Sequence, residues 1–136
     1  MAEIPTWLAV VAAAIRDDEG RLLLQQALPG KRHAGHWEFP GGKVEDGENP
    51  RLALVREVHE ELALSLDPAA MRPVAFADEP GAERDPGIVL FLYDCRAWSG
   101  TPEPREGQAF GWFSPAAAHE LPLAAMDRAL LDALAG

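Results

Sequence analysis

Trp7 to Ile15 is almost wholly apolar, and that run predicts a strand. Asp17-Asp18-Glu19-Gly20 reads as a turn, after which Arg21 to Gln26 returns as a second strand. Leu28 to Gly35 is a basic loop punctuated by Pro and Gly, and Trp37-Glu38-Phe39 is a short strand ended by Pro40-Gly41-Gly42. Asn49 then caps a helix with Pro50 at its first position, running to about Leu62. Val55, Val58 and Leu62 share one face of that helix, with Leu54 beside them. Asp67-Pro68 breaks the chain, Arg72 to Ala77 is a strand, and Asp78 to Gly87 is an acidic loop rich in Pro and Gly. Ile88 to Tyr93 is apolar on both alternating faces, which predicts a strand covered on both sides. Gly100 to Gly107 is a loop, Phe110 to Phe113 a short strand, and Ser114-Pro115 opens a helical turn. Met126 to Leu134 closes the chain as an amphipathic helix. The pattern predicts an α/β domain over 1–136, a mixed sheet with one long central helix and another at the end. It contains no repeat or linker that would divide it.

A chain of 136 residues with 48% hydrophobic and 25% charged residues can bury a core without disulfide or metal staples. Twelve Lys and Arg stand against 22 Asp and Glu, a net charge of −10. That balance excludes a broad nucleic-acid-binding surface and adhesion to anionic membranes. A polyanionic small molecule stays open, because divalent cations invert a local field. The lone Cys95 excludes an internal disulfide and any CxxC motif, and its apolar setting predicts a buried, inert thiol. Met-Ala-Glu-Ile-Pro at the N-terminus lacks a basic n-region, and no segment approaches the roughly 18 apolar residues of a membrane span. A soluble, reduced, cytoplasmic protein is expected.

The central helix carries the chemistry. Glu57, Glu60 and Glu61 lie at i, i+3 and i+4, so they form one patch, with Glu45 and Glu48 just upstream. Glu38 to Glu61 holds seven acidic residues against Lys43, Arg51 and Arg56, a net −4. A solvated helix pairs Glu with a base four residues on, yet here Glu57 is followed by Glu61, and only Arg56 and Glu60 pair at that spacing. The patch also lies toward the C-terminal half, where the helix dipole disfavours anions. Such breaks of local rules mark functional sites, and hard Mg²⁺ or Mn²⁺ ions would resolve this one. A plain acidic face is the alternative. Gly41-Gly42 lets the backbone approach a ligand closely. Walker, GxSxG, HExxH and EF-hand patterns are absent, and His33, His36, His59 and His119 lack metal-ligand spacing.

The segment Gly42-x5-Glu48-x7-Arg56-Glu57-Val58-His59-Glu60-Glu61-Leu62-Ala63-Leu64 resembles the Nudix box, G-x5-E-x7-R-E-U-x-E-E-x-G-U, with U a bulky aliphatic. It departs at Ala63, where the family has Gly, and a small local adjustment is expected there. His33 to Lys43 and the stretch from Trp98 through Glu106-Gly107-Gln108 to Trp112 are similar to the MutT-type branch, which hydrolyses nucleoside triphosphates.

The resemblance implies a Nudix fold, an α/β/α sandwich on a mixed sheet, with the catalytic helix following the Gly41-Gly42 loop. It implies a Mg²⁺- or Mn²⁺-dependent pyrophosphohydrolase that cleaves (deoxy)nucleoside triphosphates to monophosphate and pyrophosphate, with attack favoured at the β-phosphorus. Glu57 and Glu106 become catalytic, and Glu57, Glu60, Glu61, Glu106 and the Gly41 carbonyl become metal ligands. Gly42, Glu48 and Arg56 support them, Arg56 by orienting Glu57. Lys43, Phe39 and Asp127 bind the nucleotide, with Lys43 near the phosphates. Ala27 stands where many MutT-type proteins carry Arg, and Asp127 where the oxidised-guanine enzyme has Asn. Asp accepts from an exocyclic amine, as on cytosine, or when protonated donates to a carbonyl. CTP or dCTP-type substrates therefore stand beside oxidised dGTP. The alternatives are a hydrolase of nucleoside diphosphate sugars or dinucleotides and a non-catalytic nucleotide-binding module. The expected partner is a small nucleotide, with no nucleic-acid polymer and no membrane, and a homodimer stays open.

Overall fold

The structure, a computed structural model, describes residues 7–82 and 85–135. The N-terminal Met1–Pro5 stretch and part of the acidic loop, Glu83-Arg84, lie outside the described residues. The elements are β1 (Trp7–Ile15), β2 (Leu22–Gln26), β3 (Trp37–Glu38), β4 (Gly41–Lys43), α1 (Pro50–Leu62), β5 (Ser65–Leu66), a 3₁₀ turn (Pro68–Ala70), β6 (Met71–Glu79), β7 (Gly87–Cys95), β8 (Trp98–Ser99), β9 (Phe110–Phe113), α2 (Pro115–His119) and α3 (Ala125–Ala135). A four-stranded mixed sheet runs β4-β1-β7-β6, with β1 and β7 parallel. A second sheet runs β3-β2-β9, and β5 pairs β8.

The pleat of β1 sorts its side chains into two cores. Val11, Ala13 and Ile15 pack with Leu54, Val58 and Leu62 of α1. Ala12 and Ala14 pack on the other face with Leu130 and Leu131 of α3. The result is an α/β/α sandwich. α1 starts where expected, because the Asn49 side chain accepts from the backbone N–H of Arg51 at 2.8 Å and Pro50 follows it.

Two expectations need correction. Gly41-Gly42 is not only a turn. It begins β4, which pairs antiparallel with β1 in the register Ala12↔Gly41 and Val10↔Lys43. The second face of β7 is covered only toward its end: Ile88, Leu90 and Leu92 are buried on one face, while on the other Tyr93 and Cys95 join the core under α1 but Phe91 is 37% exposed and leans on Phe76 at 6.1 Å between ring centroids. One helix about 10 Å wide shields roughly two strands spaced about 4.8 Å apart, and α1 lies over β1 and β4. At the end of α1, Ala63 adopts the left-handed conformation, φ 63°, and its N–H donates to His59 O at 2.9 Å. An L-residue with a Cβ is strained there by about 1–2 kcal/mol. Cys95 is buried as expected, and burial pushes its thiol up to about 12.

Candidate active site

β1, β4, α1, α3 and the loops between them enclose a cavity of about 460 Å³. Glu57, Glu61, Glu106, Gly41, Gly42 and Lys43 line one end, and Phe39, Glu38, Met126 and Asp127 line another part of it. Glu60 is not in that lining. Its half-exposed carboxylate takes Arg56 Nη1 at 3.3 Å. Arg56 spends most of its fork on Glu48, with Nε to Oε2 at 2.7 Å and Nη2 to Oε1 at 2.9 Å, and reaches Glu57 Oε2 only at 3.5 Å. That fork holds the Glu48 carboxyl down to about 2.

The other carboxylates move the opposite way. Burial pushes Glu61 up to about 8, with the Glu57 charge adding to the rise. Burial also raises Glu57, against the pull of Arg56. Gly42 packs so closely on the Glu57 carboxylate that a Cβ would occupy its oxygens. A Cβ on Gly41 would strike the Val11 carbonyl. Gly41 therefore requires glycine for space, whereas a side chain at Gly42 would displace the Glu57 carboxylate.

Glu61 Oε1 accepts from Gly41 N at 3.1 Å and from Gln25 Nε2 at 3.1 Å. Glu106 sits on a loop docked to the end of α1: Glu103 N donates to Leu62 O at 2.9 Å and Arg105 N to Glu61 O at 3.1 Å. Among the described residues no three His, Cys, Asp or Glu side chains converge tightly enough to cage an ion. The donor chemistry still fits a hard divalent cation. Glu57, Glu61 and Glu106 share one cavity wall with Gly41, and like charge and burial leave Glu57 and Glu61 short of a counter-ion.

At the other end, Asp127 is 4% exposed, and its Oδ1 accepts from Phe39 N at 3.0 Å. Burial raises it to about 7, with Glu38 adding charge and the Phe39 N–H opposing. Burial likewise raises Glu38 to about 7, against Lys31 and His36. Ala27 also lines the cavity. The sequence reading missed Glu38, Gln25 and Gln108 as site residues. The available signal was weak: Gln25 is a polar side chain at the end of the buried run Leu22-Leu23-Leu24.

No described helix is long and apolar enough to cross a membrane. The NUDIX domain family pattern matches residues 5–134. The chain is 38% identical over 128 residues to the CTP pyrophosphohydrolase of Escherichia coli, covering 90% of this chain and 88% of that one. It is 37% identical over 105 residues to the 8-oxo-dGTP diphosphatase of Haemophilus influenzae, covering 77% and 74%. The crystal structure of a MutT NUDIX hydrolase from Burkholderia pseudomallei superposes with a TM-score of 0.84 at 30% identity, over 95% of this chain and 98% of that one.

Proposed function

The chain belongs to the NUDIX domain family, and on that premise we propose that it hydrolyses (deoxy)nucleoside triphosphates to the monophosphate and pyrophosphate, with CTP or dCTP preferred. The observation that carries this reading is the single cavity lined by Glu57, Glu61, Glu106 and Gly41 at one end and by Phe39 and Asp127 at the other. Glu57, Glu61, Glu106 and the Gly41 carbonyl would hold Mg²⁺ or Mn²⁺, with Glu60 joining once released from Arg56. A divalent ion bound there neutralises charge on phosphate oxygens and acidifies water. Glu57 takes the proton of the attacking water on a carboxylate oxygen. Lys43, exposed at the rim of the cavity, meets the phosphates. Asp127 keeps one oxygen on Phe39 N and turns the other to the base. When ionised it accepts from an exocyclic amine such as that of cytosine.

Pyrophosphate release from a panel of CTP, dCTP, the other common nucleoside triphosphates, 8-oxo-dGTP and ADP-ribose tests the proposal. CTP or dCTP should give the highest kcat/KM, activity should vanish in EDTA, and Mg²⁺ or Mn²⁺ should restore it. Preferred turnover of ADP-ribose, or full activity in excess chelator, overturns it.

A further inference from the structure

Gln25 and Gln108 are both 5% exposed, and they line the cavity beside Glu61 and Glu106. A buried amide without partners costs about 1–3 kcal/mol, so each polar atom of both side chains should have a partner, and each does. Glu106 N donates to Gln108 Oε1 at 3.0 Å. Gln108 Nε2 donates to Gln25 Oε1 at 3.0 Å and to Glu61 O at 3.1 Å. Gln25 Nε2 donates to Glu61 Oε1 at 3.1 Å. The direction is determined at every link. Glu106 N can only donate and the Glu61 backbone carbonyl only accept, which orients the Gln108 amide and through it that of Gln25; flipping either would set donor against donor or acceptor against acceptor. The relay joins the backbone of the loop that carries Glu106 to the side chain of Glu61, across a sequence separation of 83 at the Gln108–Gln25 link.

We propose that Gln25 and Gln108 are positioning residues: their buried relay, with Gly41 N, occupies Oε1 of Glu61 and pins the Glu106 loop to the end of α1, so that Glu61 Oε2 and the Glu106 carboxylate are presented together to a divalent cation. Among the described residues Glu61 Oε2 accepts no hydrogen bond, whereas Oε1 accepts two. A carboxylate held at one oxygen loses its freedom to rotate, and it presents the other oxygen at a fixed place before any cation arrives. Polarisation along the aligned amides strengthens each link. Neither glutamine touches the reacting atoms in this scheme. This inference rests on the cation reading of the proposed function.

Binding of Mn²⁺ to the cation-free protein, followed by the loss of the free-ion electron paramagnetic resonance signal, reads the relay without turnover. Gln25→Met and Gln108→Met keep length and apolar volume but remove the hydrogen bonds. Gln25→Asn keeps the amide and draws it back by one methylene, and it is the variant to read if a Met variant fails to fold. Each should bind Mn²⁺ about 10- to 100-fold more weakly than the parent, the range for partners that orient metal ligands. KM for nucleotide at saturating metal should stay near the parent value. The double Met variant should bind scarcely worse than the poorer single one, because breaking either link breaks the relay. If the parent binds no Mn²⁺, the cation reading itself fails. If the parent binds and the folded variants bind equally well, or if KM rises while Mn²⁺ affinity holds, the glutamines do not position Glu61 and the relay proposal is overturned.

Discussion

At one end of the cavity Glu57 and Glu61 stand one turn apart on a single helix, and the Glu106 loop is docked on that helix's last carbonyls. At the other end Phe39 and Asp127 come from segments 88 positions apart and meet through one buried hydrogen bond. Both ends hold carboxyls pushed up by burial, Glu61 to about 8 and Glu38 and Asp127 to about 7. What differs is what answers the burial. The helix end gathers several carboxyls beside one another, which a shared counter-ion or a retained proton can answer. At the other end Asp127 faces one like charge, Glu38, and gives one oxygen to a backbone N–H, leaving its other oxygen for a polar group on a ligand. A repeated local device suits the part of a substrate that all nucleotides share, and a one-off long-range contact suits the part that varies.

If that division holds, breaking the helix end should be indifferent to the base. Glu57→Gln keeps the shape that packs on Gly42 but removes the group that takes the proton. It should lower kcat by about 10²–10⁴ on every nucleotide tested. Steady-state kinetics on CTP, dCTP and dGTP side by side check this. A loss confined to one base would dissolve the distinction between the ends.

The converse applies at Asp127. Asp127→Asn keeps an oxygen for Phe39 N but replaces the other with an NH₂ donor, and Asp127→Ala removes both. Asn should move the preference from bases that present an amine toward bases that present a carbonyl. Ala should compress the preference by about 1–3 kcal/mol in relative kcat/KM. The concentration of Mg²⁺ giving half-maximal rate should stay at the parent value for both. Uniform scaling of all nucleotides would show that Asp127 does not read the base.

The same contrast explains what could be seen in the chain before its fold. α1 was legible to the residue, because Asn49-Pro50 starts it by local chemistry and the glutamate spacing is fixed by the helix itself. The pairing of β4 was not, since Gly41-Gly42-Lys43 has no strand preference of its own and is drawn into the sheet by the edge of β1. Glu38 looked like an ordinary strand residue, and only the cavity beside α3 gives it a role. The glutamine relay is invisible to any periodicity, because its links join β2 to the loop before β9. Glu60 shows the opposite limit. Its helix position is as regular as its neighbours', yet Arg56 draws it out of the cavity lining.

The measurement that separates the ends thermodynamically is the pH dependence of stability without metal. Unfolded Asp and Glu titrate near about 4. Glu61, Glu38 and Asp127 hold their protons to about 8, 7 and 7 in the folded chain. Between these limits the folded state binds more protons than the unfolded one, so stability falls as pH rises. Their contribution is fully present below about pH 4 and is gone above about pH 8. Glu48 has the reverse sign, because Arg56 holds it at about 2, and its contribution disappears only as pH falls from about 4 toward 2. The melting temperature of EDTA-treated protein should therefore decline continuously between pH 5 and pH 8, by about 4 °C for each kcal/mol lost in a domain of this size. Glu61→Gln keeps Oε1 as an acceptor for Gly41 N and the Gln25 amide while removing the charge, so it should melt higher than the parent at pH 8 and flatten the upper part of the decline. Saturating Mn²⁺ should do the same in the parent by answering Glu57 and Glu61. It should leave that part of the fall below pH 7 which Glu38 and Asp127 cause beyond its reach. Calorimetric melting at half-unit pH steps with and without Mn²⁺ resolves the two ends. A metal-free protein whose melting temperature is level or rises from pH 5 to pH 8 would show that burial does not hold these carboxyls protonated.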